Sequence, residues 1–493
     1  MTRKVTARLS RLSLMLLSLY AASGVAAEAP LLTSASEARF RAVGLVDLPG
    51  GGTCTGSLVA GSTSPDGSRP ALLLTSGHCV LGRELLPNQV LVDQAAPSGY
   101  RFTPAYFQDA QAVHRPVAVE RILYATTKNM DVAVLRLAVS YGDLAALGVA
   151  PLVPAAPGIV GRLPVDVPQI PAADVPLDER FLRLAACHAS EPVKVFEGER
   201  LLRRESATDC VGVAAGSSGS PVLRGGTSDI VGVLGTMVDP RLDGCGFDRP
   251  CELTGRQAFS REGASYHSLT APLLGAFRAD GGWEARSLDA GNGVALARTV
   301  GQYTRSRVVE EGELAPARWG IVVGDDTRWI RFKHGDAATT DCASIDGYGA
   351  PTLAREQPMD RLPVGPAEGV YVMCVVGQLG IDNDWQSPEH ASVMLRVIDD
   401  TAPTAAPRPA VHAESDAAWI VRIRSPYVAP PIVKVGRLLT TDCNDENGYR
   451  ELASTFISLP KAKGPLRVCA KGSDEAGNVS PLGVLDLPPH AAD

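Results

Sequence analysis

Between residues 40 and about 280 the chain alternates short apolar runs with clusters of turn-forming residues. Such runs, bounded by Gly, Pro, Ser and Asp, read as strands. Residues 54–60 and 71–75 are two of them, and Ser62-Thr63-Ser64-Pro65-Asp66-Gly67-Ser68 lies between. That pattern predicts a β-hairpin. Further strands are expected over 122–125, 132–137 and 230–234. The stretch 266–277 departs from the pattern: Leu269, Leu273, Leu274 and Phe277 recur at helical spacing, so a helix is expected to close this unit.

Past residue 316 the pattern repeats. A first copy carries Trp319, Thr340-Asp341-Cys342, Gly347-Tyr348, Val372-Met373-Cys374 and Ser387-Pro388; a second carries Trp419, Thr441-Asp442-Cys443, Gly448-Tyr449, Arg467-Val468-Cys469 and Ser480-Pro481. Order and spacing match, which marks an internal repeat. A Pro/Ala-rich seam from Thr401 to Pro409 separates the copies as a stiff linker. Each copy has alternating β-type runs and one cysteine pair, Cys342 with Cys374 and Cys443 with Cys469, which suggests two β-sandwich modules with one disulfide each. The copies resemble bacterial Ig-like domains, as does the turn Asp474-Glu475-Ala476-Gly477-Asn478.

Composition sharpens this picture. At 493 residues the chain is too long for one core. With 49 Gly, 37 Pro and only 5% aromatic residues, it should build turn-rich β domains on Val, Leu and Ala cores. Arg3, Lys4, Arg8 and Arg11, then the apolar stretch from Leu14 to Tyr20, then Val25-Ala26-Ala27 read as a secretory leader over 1–27. The apolar run is too short to span a bilayer. Removing its four positive charges takes the formal net charge from −7 to −11, which argues against nucleic acid as a partner. Ten cysteines in an exported chain read as a disulfide framework. The organisation expected is a leader (1–27), a β-rich domain (28–282), a connector (283–316) and two sandwiches (317–402 and 403–493).

Three separated segments carry chemistry. Leu74-Thr75-Ser76-Gly77-His78-Cys79 ends an apolar strand; Asn129-Met130-Asp131 opens another; Gly216-Ser217-Ser218-Gly219-Ser220-Pro221 is a Gly/Ser loop. A serine hydroxyl attacks a carbonyl only if a base takes its proton. Histidine is the natural base near neutral pH, and a buried carboxylate must hold its ring and stabilise the imidazolium. Singly, each segment reads as a structural histidine, a turn aspartate and a flexible loop. Together and in the order His, Asp, Ser, they form a candidate triad of His78, Asp131 and Ser218.

These motifs resemble those of the trypsin/chymotrypsin-like serine peptidases, over about residues 40–280. The serine segment is closest to bacterial lysyl and glutamyl endopeptidases. Arg41-Ala42-Val43-Gly44 and Cys54-Thr55-Gly56-Ser57-Leu58-Val59 are similar to the opening of lysyl endopeptidases. The resemblance implies an all-β fold: a double antiparallel β-barrel peptidase domain, here with a C-terminal helix, followed by the two sandwiches. It implies that His78 and Asp131 come from the first barrel and Ser218 from the second. The N–H groups of Gly216 and Ser218 would form the oxyanion hole, and Cys54–Cys79 would anchor the histidine loop. Cys187 is expected to pair with Cys210, and Cys245 with Cys251. Ser76, Ser217 and Ser220 are expected to have no catalytic role.

The chain also departs from the family. Ser-Gly-His-Cys replaces the commoner Ala-Ala-His-Cys, and Ser217 stands where animal relatives carry the aspartate that pairs with a new N-terminus, so no such activation switch is expected. Val211-Gly212-Val213-Ala214-Ala215 carries no charge, and Gly232 to Met237 has no histidine, whereas Glu262 falls where lysyl endopeptidases take their acid. An apolar or small side chain is the expected preference, with Met237 narrowing the pocket; a basic side chain, met by Glu262, is the alternative.

The expected function is a secreted serine endopeptidase acting through an acyl-enzyme on protein or peptide substrates. The alternative is an inactive peptidase-like binding or adhesion protein using its sandwiches; a third reading keeps the peptidase and has the sandwiches choose its target, a cell surface, a glycan or a larger protein. No cofactor, metal, nucleic acid or membrane span is expected, and the chain should be an exported monomer, extracellular or periplasmic. His188 beside Cys187 lacks partner ligands nearby. Asp382-Asn383-Asp384 and Asp474-Glu475 lack an EF-hand pattern and read as turns.

Overall fold

The computed structural model describes residues 29–82, 87–156, 158–242, 244–324, 327–378, 385–427 and 429–488. The leader over 1–27 and the Asp382-Asn383-Asp384 turn lie outside the described residues.

The first sheet contains β1 (Val43–Asp47), β2 (Thr53–Val59), β3 (Pro70–Thr75), β4 (Val90–Ala95), β5 (Arg101–Pro104), β6 (Val117–Thr126) and β7 (Val132–Ser140). Antiparallel pairing runs β1-β2-β3-β7-β6-β5 and returns to β1, so six strands close a barrel with β4 on the side of β6. Closure leaves those six strands without a free edge. The hairpin read from the sequence is β2–β3, and the strands read over 122–125 and 132–137 are the centres of β6 and β7.

The second sheet contains β8 (Val153–Pro154), β9 (Leu163–Gln169), β10 (Arg183–Glu197), β11 (Arg200–Thr208), β12 (Pro221–Arg224), β13 (Asp229–Met237), β14 (Cys251–Thr254), β15 (Gln257–Phe259) and β16 (Ser265–Leu269). It too closes through six strands, β9-β10-β11-β16-β13-β12. Strands β14 and β15 extend from β10, and β8 joins β13.

The closing helix is not formed. Residues 265–269 are strand β16, paired to β11 on one side and β13 on the other, and only Ala271–Leu273 makes a short 3-10 turn. The reason is topological: without β16 the second barrel stays open along two ladders, and their hydrogen bonds outweigh a helical spacing that rests on a few leucines. Pro272 lies just beyond β16 and further disfavours a long helix.

The stretch 283–316, read as a connector, contributes strands to the sheets of the first repeat copy. Leu296–Arg298 pairs with Ile321–Val323, and Tyr303–Thr304 lies parallel to Ser392–Ile398 in a five-stranded sheet with Gly369–Gln378, Trp329–Asp336 and Thr352–Leu353. The second copy has a three-stranded and a four-stranded sheet whose facing residues, Trp419, Val421 and Ile423 against Val433, Val468 and Ala470, share one core. Local detail repeats between copies: the Tyr348 hydroxyl donates to the Cys342 carbonyl at 2.9 Å and the Tyr449 hydroxyl to the Cys443 carbonyl at 2.7 Å. Five disulfides join Cys54–Cys79, Cys187–Cys210, Cys245–Cys251, Cys342–Cys374 and Cys443–Cys469. Among the described residues no helix is long and apolar enough to cross a membrane.

Candidate active site

Strand register brings His78 and Asp131 together. Thr75 at the end of β3 pairs with Ala133 at the start of β7, so the chain leaving β3 meets the chain entering β7. His78 opens a single helical turn, His78–Leu81, held to β2 by the Cys54–Cys79 bridge. The buried Asp131 carboxylate accepts the His78 backbone N–H at 2.9 Å and lies 2.6 Å from ring Nδ1. A proton on Nδ1 facing the carboxylate leaves Nε2 as the free acceptor. Burial disfavours ionised Asp131, but the charge and hydrogen bond of His78, helped by Arg200, outweigh it and hold the carboxyl at about 2.

Ser218 arrives from the second barrel. Pro221 of β12 pairs with Val233 of β13, which lays the loop 216–220 over the end of β13. There Gly219 N–H donates to the Leu234 carbonyl at 2.7 Å, and the Ser218 hydroxyl lies 3.5 Å from the Gly235 carbonyl. Gly235 also faces Asp131: a Cβ at this position would lie 3.1 Å from Asp131 Oδ2. Ser218 and Asp131 thus flank one residue. Bonds across the barrel seam fix the arrangement, with Thr55 N–H donating to the Ser218 carbonyl at 2.8 Å and its hydroxyl to the Gly216 carbonyl at 3.0 Å. The buried Ser76 hydroxyl donates across the same seam to the Leu234 carbonyl at 2.7 Å. No hydrogen bond joins Ser218 to His78 in this rotamer; in free enzymes such bonds are often long and tighten with substrate.

The loop before Ser218 presents backbone donors. The Ala215 carbonyl accepts from Ala172 N–H at 2.8 Å and Ala173 N–H at 3.0 Å. In a trans peptide the following N–H points the opposite way, so the Gly216 N–H is turned from that anchor. Neither it nor the Ser218 N–H has a protein acceptor among the described residues. Glycine is required at 216, where φ is 101° and a Cβ would lie 2.6 Å from Ala172 Cβ. The buried Ser217 hydroxyl donates to Gln169 Oε1, and Gln169 Nε2 donates to the Gly212 carbonyl at 3.1 Å. A neutral side chain therefore ties the loop to β9 from behind. Ser220 caps the same turn, its hydroxyl donating to the Ser217 carbonyl at 2.6 Å.

Sequence reading missed a buried charged group behind Asp131. Arg200 at the start of β11 lies 3.5 Å from Asp131 Oδ2 and also pairs with Glu197 at the end of β10. Glu197 accepts from the Thr236 hydroxyl at 2.8 Å and the Asp248 N–H at 3.1 Å. On the other side, Asp131 N–H donates to the Ser268 hydroxyl at 2.7 Å, and Ser268 donates to Glu205. Burial pushes the Glu205 carboxyl up to about 8. In the sequence Glu197-Gly198-Glu199-Arg200 reads as an exposed charged turn, and no motif flags it. The candidate pocket segment Val211 to Ala215 is half-buried to exposed, Met237 is half-buried, and Glu262 is exposed. The His/Cys/acid group close enough to hold a metal is Cys54, His78 and Cys79, and its two sulfurs are joined in a disulfide.

No family model matches this chain, and no curated protein matches it. Similar solved structures include a thermostable serine protease from an extremophilic microorganism, at 17% identity over 47% of this chain and 93% of that one, with a TM-score of 0.31. A protease of Arthrobacter nicotinovorans matches at 17% identity over 47% and 91%, TM-score 0.30. A scabies mite inactivated protease paralogue matches at 15% over 49% and 93%, TM-score 0.31. The double-barrel architecture stands on this chain's own strand pairings.

Proposed function

We propose that the chain is an exported serine endopeptidase. Ser218 Oγ attacks the scissile carbonyl carbon while His78 Nε2 takes its proton. The carbonyl oxygen becomes an oxyanion received by the Gly216 and Ser218 N–H groups, such donors being worth about 3 kcal/mol each in the transition state. The imidazolium then returns the proton to the leaving amine, the C–N bond breaks, and the acyl-enzyme is hydrolysed by water through the same steps in reverse. Asp131 orients the ring and stabilises its charged form. The observation that carries this reading is the buried Asp131 bridging both the backbone and the ring of His78, on the other side of Gly235 from the Ser218 hydroxyl.

The finer proposals rest on the same residues. The resemblance to lysyl and glutamyl endopeptidases gives the subgroup, and the uncharged segment 211–215 supports an apolar or small side chain before the scissile bond. The two C-terminal modules are proposed to be Ig-like, and five disulfides support export to an oxidising compartment. The second reading, a peptidase-like binding protein, draws on the Ser218 hydroxyl facing Gly235 rather than His78. Cleavage-site profiling of the mature chain on a peptide library, beside Ser218→Ala, separates the two. Peptide-bond cleavage abolished by the substitution is expected. Cleavage that persists in Ser218→Ala, or is absent from the folded parent, sinks the assignment.

A further inference from the structure

The strand Gly369–Gln378 of the first module is buried on both faces. Tyr371, Met373 and Val375 face the module's own core with Trp319 and Ile330. Val370, Val372, Cys374 and Val376 face the other way and form one cluster with Phe196, Leu201, Cys251 and Leu253 of the second barrel. A strand of near-continuous apolar residues is what two covered faces require.

The barrel residues in this shared core lie on the β10–β11 hairpin and on β14, which pairs with it. Phe196 and Leu201 flank Glu197 and Arg200, the pair behind Asp131. Polar contacts extend the seam. Lys194 Nζ donates to the Ala338 carbonyl at 2.7 Å, and Arg203 Nη2 to the Glu389 carbonyl at 2.8 Å. Asn88 exchanges two bonds with the backbone of Val393, at 2.9 and 2.7 Å. The loop entering Asp131 is held from the same side: buried Lys128 Nζ donates to Asp289 at 2.7 Å and the His390 carbonyl at 2.6 Å, and Arg203 Nε donates to Asn129 Oδ1 at 2.7 Å.

We infer that the first C-terminal module is a built-in part of the catalytic unit, clamping the β10–β11 hairpin so that Arg200 acts as a positioning residue for Asp131. The inference rests on the peptidase reading for its consequence in activity, but the effect on His78 does not. Asp131 faces His78 from the first barrel and Arg200 from β11. Around Arg200 stand Glu197 and Asp248, and Glu205 reaches Asp131 through Ser268. Arg200 balances part of the negative charge that stabilises the imidazolium. Loss of its charge therefore raises the pKa of His78.

The test uses the full chain. Histidine-selective NMR follows the titration of His78, assigned with His78→Gln, in the parent, Arg200→Met, Arg200→Lys and the seam variant Asn88→Ala/Arg203→Ala. Arg200→Met should move the His78 titration upward by about half a unit or more, and Arg200→Lys should restore most of the parental value. The seam variant should shift in the same direction and lower kcat on a small peptide ester by about threefold to tenfold, with KM unchanged. If Arg200→Met fails to fold, the seam variant carries the same readout. A His78 titration unmoved in every folded variant overturns the inference. Variants that shift as predicted, beside a folded parent that takes up no fluorophosphonate at Ser218, refute the peptidase reading instead.

Discussion

Substituting Gly216 by alanine tests the backbone half of the site. The residue sits at φ 101°, where a side chain costs about 1–2 kcal/mol. The added Cβ would also lie 2.6 Å from Ala172 Cβ and 2.8 Å from Ala172 N. That amide is the one that anchors the Ala215 carbonyl at 2.8 Å. Relieving the overlap pushes Ala172 away, frees the carbonyl and lets the 215–216 peptide rotate. The Gly216 N–H then leaves its place beside Ser218. Losing one such donor costs about 3–4 kcal/mol in the transition state, or about 10²–10³ in kcat. KM should stay within about threefold, because the donor meets its full charge only in the transition state. Steady-state kinetics on a peptide ester, normalised to folded protein by near-UV circular dichroism, reads both constants. A Gly216→Ala chain that keeps kcat within about threefold of the parent would refute the reasoning.

Two other predictions address the residues around the site. Glu205→Gln should stabilise the chain above pH 5. The native carboxyl, held up to about 8 by burial, binds a proton that the unfolded chain has released, so stability declines as pH rises from the unfolded value toward 8. The gain near pH 7 should be about 1–3 kcal/mol, read from denaturant curves across pH; a gain equal at pH 4 and pH 8 contradicts it. Gln169→Leu removes the neutral tie behind Ser217 and should lower kcat about tenfold through a loosened 212–217 loop, with labelling of Ser218 slowed in parallel; unchanged labelling rates argue that the loop holds itself.

Strands β2, β3, β6, β7 and β13 were legible because each contains a short apolar run bounded by turn residues; the other strands of the second barrel carried no such clear run. The triad segments were legible because strand ends are local features: His78 follows an apolar run, Asp131 precedes one, and Ser218 stands among glycines. What sequence could not display is what depends on closure. The leucines at 269, 273 and 274 have helical spacing, yet 265–269 is the strand that shuts the second barrel. Glu197 and Arg200 have the look of a solvated turn, yet both are buried and paired with each other beside Asp131, while Phe196 and Leu201 next to them pack against the first module. The even-numbered residues from Val370 to Val376 carried a signal of that packing, since a strand apolar on both faces needs two partners. For the same reason the first module is not a separable appendage.

The central claim is that Ser218 is an activated nucleophile. The most direct measurement is mass spectrometry of the folded chain after exposure to a fluorophosphonate, with the adduct mapped to a residue. One adduct is expected, on the peptide carrying Ser218, formed faster as pH rises through the titration of His78 and lost in His78→Ala. A folded chain that forms no adduct there, or reacts equally well without His78, would contradict it.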